Sequence, residues 1–140
     1  MRLDLYQLET ARVATAQAAL LAQAAAIAAT GRPLTALEQS GTLHALQILV
    51  ENAIGKAKQI LKSQNLLVPV SAYDAFAALT EAGLLPHADL PAWNVVVGLR
   101  NRIVHDYINI SMELILQTIA SCKHQFVVDF LLQQVTQKSK

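Results

Sequence analysis

Gly98-Leu99-Arg100-Asn101-Arg102-Ile103-Val104-His105-Asp106-Tyr107 is the densest run of chemically useful side chains in the sequence. Within ten positions it carries two arginines, an asparagine, a histidine, an aspartate and a tyrosine. Read as a helix, each residue turns about 100°, which brings Arg100 and Tyr107 within about 20° of each other. Val96, Val97, Ile103 and Val104 fall within about 60° of Arg100 on the same wheel. The guanidinium thus starts from the centre of an apolar stripe, where a charge is costly unless something pairs with it. Asn101 and His105, four apart, form a second polar row beside that stripe.

The rest of the chain bounds what this run can do. At 140 residues the sequence is long enough for one domain, spanning 1–140. It is 54% hydrophobic and 15% charged, with a mean hydropathy of +0.35. A domain of this size has limited interior for so much apolar surface, and the surplus points to an interface, most simply a homodimer or a partner complex. The net charge of +1 gives no broad electrostatic footprint for nucleic acid, so any such contact is local. One cysteine, Cys122, allows no intramolecular disulfide and fits a reducing cytoplasm. Cys122 and His124 fall short of the three or four ligands a zinc site needs, so no metal is expected and Cys122 reads as a small buried thiol. The Ala18–Ala29 run reads as a packing helix of a cytoplasmic protein. It is too short to cross ~30 Å of hydrocarbon, and Asp4 and Glu9 upstream do not suit a signal peptide.

Helix-forming residues without Gly or Pro predict an Ala-rich first helix over about 3–30, with an apolar stripe of Leu5, Leu8, Val13, Ala16, Leu20, Ala24 and Ile27. Gly31-Arg32-Pro33 ends it. Thr35-Ala-Leu-Glu38 has the spacing of a capping box, and a long helix to about Ser63 follows, with Gly41 a possible early break. Leu46, Leu49, Val50, Ala53, Ala57, Ile60 and Leu61 form its stripe; Glu51, Lys56, Lys58 and Lys62 are placed off it, Glu51 and Asn52 reading as solvated polar groups. Ser71 caps a short helix to Ala82, stopped by Gly83. Asp89 is positioned to cap the next helix, over about 90–107, with Pro91 in its first turn. Ser111 caps one last amphipathic helix carrying Met112, Leu114, Ile115, Ile119, Phe126, Val127, Phe130 and Leu131, and the tail from Gln137 to Lys140 is expected to fray. No strand pattern, repeat or phosphate loop is present, so the expected architecture is an all-α antiparallel bundle of about five helices.

His44, His87 and His124 lack acidic or nucleophilic company and read as surface or capping residues. Nucleophile-elbow and zinc-protease motifs are absent. The focal run does hold the parts for metal-free phosphodiester cleavage: an imidazole to move a proton, a guanidinium to clamp phosphate, an asparagine to orient either, and a tyrosine to bond or stack. Arg100 and His105 stand about 140° apart on an ideal helix, so one copy does not bring both to one atom. Two copies meeting across a two-fold axis would. Spacing alone equally allows a buried arginine paired with a carboxylate, with His105 favoured at the helix end by the dipole.

Arg100-Asn-Arg-Ile-Val-His105-Asp-Tyr107 resembles the Arg-x4-His-x-Tyr motif of HEPN domains, specifically the HepT-like (DUF86) toxins. The Leu46–Leu61 helix, Pro69-Val-Ser-Ala-Tyr73, Phe76-Ala-Ala-Leu-Thr-Glu-Ala-Gly83-Leu-Leu and Gly98-Leu-Arg-Asn101 are similar to the corresponding parts of that family, from roughly Leu43 to Ile119. The resemblance implies a HEPN-like helical bundle that dimerises with the motif at its interface. It implies a toxin that cleaves RNA as a metal-independent endoribonuclease without a cofactor, with His105 as acid/base, Arg100 as phosphate clamp and Asn101 in support. It further implies a cognate MntA-like nucleotidyltransferase antitoxin that transfers AMP to Tyr107, where the anionic nucleotide would lie beside Arg100 and compete with RNA. The alternative is a non-catalytic helical interaction module that binds a nucleotidyltransferase or nucleotide without cleaving RNA. The Ala-rich segment before about Thr42 departs from the pattern.

Overall fold

The computed structural model describes residues 3–134, all of whose regular elements are helical. Six α-helices follow in order: α1 (Leu3–Ala29), α2 (Ala36–Ser63), α3 (Ala72–Glu81), α4 (Leu90–His105), α5 (Met112–Ala120) and α6 (Gln125–Leu132). Single 3₁₀ turns occupy His87–Asp89 and Tyr107–Asn109. The tail from Gln137 to Lys140 lies outside the described residues.

The second helix is the spine, touching α1, α3, α4 and α6. It begins as its sequence dictates: the Thr35 hydroxyl accepts from the Glu38 amide, and the Glu38 carboxylate accepts from the Thr35 amide. Arg32 adds two bonds of 2.9 Å to Glu38. That clasp and the Thr35 bonds hold the Glu38 carboxyl down at about 2. Gly41 interrupts nothing. Beyond Gly31 (φ 83°) after α1, three more helix ends turn through a left-handed residue: Asn65 (φ 58°), Gly83 (φ 75°) and Cys122 (φ 56°). For these three, the next amide reaches back five residues, as in Leu84 N to Leu79 O at 2.9 Å and Lys123 N to Thr118 O at 3.0 Å.

The turn at Cys122 corrects the expected single last helix. Residues 121–124 break it into α5 and α6, a break no glycine or proline announces, and the Cys122 thiol is exposed rather than buried. Breaking the helix lets α6 pack on α1 and α2 independently of α5. Two further expectations, a helix face and a cap, fail. Of the stripe proposed for α1 only Ala24 is buried; Thr10, Ala14 and Leu21 join it inside, while Leu5, Leu8 and Leu20 are exposed. An alanine-rich helix has little amphipathic contrast, so its facing residues are chosen by the neighbours it can approach closely. By length and composition the full α1 is also long and apolar enough to cross a membrane, which the shorter Ala18–Ala29 run is not. Finally, Asp89 precedes α4 but its side chain caps nothing.

The core centres on aromatic rings from α3, α4 and α6. Phe76 stacks on Trp93 at 4.2 Å, and Phe126 and Phe130 meet the indole edge-on at 4.8 and 5.0 Å. Such pairs contribute about 0.5–1.5 kcal/mol each beyond their buried area. They seat α4 with Val96, Val97 and Ile103 inward.

His124, expected at the surface, is buried, and its Nδ1 has no partner among the described residues. Burial pushes its pKa down. The folded chain therefore resists protonation that the unfolded chain accepts at the usual 6.5, and stability falls as pH drops below that value. A melting series from pH 7 to 5 should show wild type losing Tm more steeply than His124→Gln. The Glu38 clasp gives way in a separate window, below the ordinary carboxylate value of 4.5.

Candidate functional site

The site is built where α4 crosses α2. Ser40, Gln47 and Glu51 lie on one face of α2, since eleven residues complete three turns to within about 20°. Arg100 Nε donates to Glu51 Oε2 at 3.0 Å, and Gln47 Nε2 donates to the same oxygen at 3.2 Å. Arg100 Nη1 donates to Asn101 Oδ1 at 2.9 Å. The guanidinium is thus held at two of its nitrogens, and among the described residues Nη2 keeps its two N–H groups. The pair is not sealed: 27% of the Arg100 side chain and 32% of that of Glu51 remain accessible. Glu51 is therefore a member of the site rather than the solvated residue expected. Asn52 instead donates to the Thr10 carbonyl of α1 at 3.2 Å.

Arg100 sits on the core side of α4, as its wheel position requires, and Glu51 answers the cost of a charge there. Asn101 spans the two faces through its bond to Arg100. His105 points the opposite way: it is exposed at the last residue of the helix and makes no side-chain hydrogen bond among the described residues. Asn94, Gly98 and Asn101 share its face, within about 40°. Tyr73 of α3 lies over Gly98: a Cβ there would stand 3.2 Å from the phenol oxygen.

Tyr107 is not where helical spacing puts it. The helix stops at His105, and Asp106 leaves it at φ −142°, ψ 41°. The Asp106 carboxylate accepts from the Asn109 amide side chain at 2.7 Å, and Arg102 donates back to the Asn109 carbonyl at 3.3 Å. This braced turn carries Tyr107 across the start of α2, where its hydroxyl lies 3.3 Å from Ser40 Oγ. Glu51, which holds Arg100, is eleven residues further along α2, about 16 Å away at 1.5 Å per residue. Tyr107 therefore flanks the His105 end of the motif and does not lie beside Arg100.

Exposed apolar side chains surround the motif. Val95, Val104 and Ile108 are 69%, 41% and 94% exposed. Among the described residues no group of three or more His, Cys, Asp or Glu side chains is placed to hold a metal ion.

A family profile for HepT-like ribonucleases matches residues 23–130. No curated protein matches. Two solved structures share the fold. One is a toxin–antitoxin crystal structure with AMP-PNP, at TM-score 0.76 and 19% identity over 90% of this chain and 97% of that one. The other is a tri-AMPylated Shewanella oneidensis HEPN toxin in complex with MNT antitoxin, at TM-score 0.78 and 20% identity over 90% and 96%. With more than two thirds of its length matched, including the whole Arg100–Tyr107 run, the chain belongs to the HepT-like ribonuclease family.

Proposed function

We propose that this chain is a cytoplasmic toxin that cleaves RNA as a homodimer, without a metal, and that a partner nucleotidyltransferase silences it by transferring AMP to Tyr107. One observation carries the proposal: a guanidinium pinned by Glu51 and Asn101, on the same helix as an unpartnered, exposed imidazole. Pinning removes the rotamer freedom that a phosphate clamp otherwise loses on binding. Exposure leaves His105 free to reach a substrate.

In the proposed reaction the ribose 2′-oxygen attacks the adjacent phosphorus. Its proton passes to a base, the bond to the 5′-oxygen breaks, and that oxygen leaves with a proton from an acid. The products are a 2′,3′-cyclic phosphate and a 5′-hydroxyl. His105 performs the proton transfer, and Arg100 stabilises the charge on the non-bridging oxygens through Nη2. Arg100 and His105 face opposite ways within one chain, so a two-fold pairing of α4 helices would complete each site with both copies. The exposed Val95, Val104 and Ile108 supply apolar surface for that pairing.

The two solved neighbours are toxin–antitoxin structures, one with AMP-PNP and one AMPylated, which supports a nucleotidyl group on this chain too. Tyr107 Oη would attack the α-phosphorus of ATP. The phenol gains the P–O bond, pyrophosphate leaves with the electron pair, and the phenol proton passes to a base of the partner. Inhibition would then come from an anionic nucleotide beside His105.

One observation favours a passive role instead. Glu51 already neutralises Arg100, and the net charge is only +1. Purified wild type in chelator should convert a defined RNA to cyclic-phosphate ends; protein that binds its partner yet cleaves no RNA would identify a non-catalytic module. For Tyr107, the chain co-expressed with the nucleotidyltransferase should gain one or more AMP units in intact mass. Tyr107→Phe should gain none.

A further inference from the structure

A cavity of 320 Å³ opens beside Tyr107, between the first turns of α2 and the segment leading into α5. Its walls include Gln39, Ser40 and Leu43 on one side and Tyr107, Ile110 and Met112 on the other. The described contacts of the motif leave it unused. Its volume is at the low end of the ~300–1,000 Å³ typical of small-molecule sites.

We propose that this cavity seats the adenine base of the nucleotidyl group attached to Tyr107, an inference that rests on Tyr107 being the modified residue. Three features carry it. First, the acceptor is itself a wall: the Tyr107 hydroxyl lies against Ser40, which lines the same space. A base tethered through phosphate and ribose to that oxygen can fold back into the cavity without dissociating, so its local concentration there is high even if its affinity is weak. Second, the lining suits a flat heteroaromatic ring. Leu43, Ile110 and Met112 give apolar faces, and a thioether is a favourable neighbour for an aromatic ring. Third, Gln39 supplies direction. Its amide nitrogen donates to the Leu34 carbonyl at 3.2 Å, which commits that end and leaves Oε1 as an acceptor. An acceptor matches the exocyclic amine of adenine and opposes the carbonyl that guanine carries in the same place. The Ser40 hydroxyl, 3.3 Å from Tyr107 Oη, is placed to hold a phosphate oxygen once the phenol has lost its proton.

Seated this way, the nucleotide would bridge α2 and the turn after α4. Modification would then lock the Asp106–Asn109 turn as well as placing negative charge next to His105.

The test uses full-length chain modified by its nucleotidyltransferase, with isotope-labelled Leu, Ile and Met methyl groups and unlabelled AMP. Nuclear Overhauser contacts from adenine H2 or H8 to the methyls of Leu43, Ile110 and Met112 are expected. Base protons that show none of these contacts, and resonate as in free AMP, would overturn the cavity as the seat while leaving Tyr107 as the acceptor. Failure of the parent proposal looks different: wild type would gain no AMP mass, or Tyr107→Phe would gain it undiminished, and both ideas would fall together.

Discussion

If the proposed reaction is the one this chain performs, RNA cleavage by His105→Ala should fall about 10²–10⁴-fold, the usual contribution of a positioned general acid or base. The proposed dimer and the melting temperature should hold. His105 is exposed and unbonded among the described residues, so removing its ring strands no buried partner there. Arg100→Ala should lose activity by a similar factor, because charge stabilisation at the phosphate is lost. Its stability will also drop, since Glu51 is left half-buried without its cation. Arg100→Lys separates the two effects: the charge stays near Glu51, but the fork that bonds Glu51 and Asn101, and in the proposed reaction phosphate, is gone. Activity should stay low while stability largely returns. Initial rates on a defined RNA, with light scattering and thermal melts on the same samples, give all three readouts. Wild-type rates in His105→Ala would end the case for that residue as the proton carrier.

Lys56→Ala should cost about 3–5 kcal/mol, a large share of the about 5–15 kcal/mol that holds a domain together. The lysine is 1% exposed. Its ammonium donates to the carbonyls of Phe130 at 2.6 Å, Leu131 at 3.4 Å and Gln133 at 2.5 Å, and sits 5.1 Å from the Phe130 ring centre. It ties the C-terminal end of α6 to the middle of α2, where the helix dipole favours a cation. Alanine removes the donors and empties the space of the stem. Lys56→Met fills the space but leaves the carbonyls bare, and should cost about 1–3 kcal/mol. Denaturant titrations of the three proteins measure the difference. Burial pushes the Lys56 pKa down to about 8, from 10.5 in the unfolded chain. Between those values the unfolded chain holds a proton the folded chain has shed, so wild-type stability should rise with pH there. Lys56→Met should lack the rise.

Lys56 also shows why part of the fold was not legible. It follows Leu49 by two turns, so it stands within about 20° of a core position. Its identity as a lysine argued for the surface, and only the carbonyls that α6 brings from 74 to 77 residues away reverse that argument. Glu51 is similar. Its polarity was visible, but its partner is 49 residues distant. In α1 the alanines leave no contrast for periodicity to report.

What the sequence determined by itself is local. Capping at Thr35, Ser71 and Ser111, the stop at Gly83, the all-helical class and the chemistry packed into Arg100–Tyr107 all depend on residues within a turn or two of each other. The tertiary structure decided everything that needs a second element: Glu51 as the anchor of Arg100, the burial of Lys56 and His124, and the division of α5 from α6. It also decided the place of Tyr107. Helical spacing put that phenol in line with Arg100; the helix ends at His105, and it is the contact with Ser40 of α2, 67 residues away, that fixes where the phenol lies.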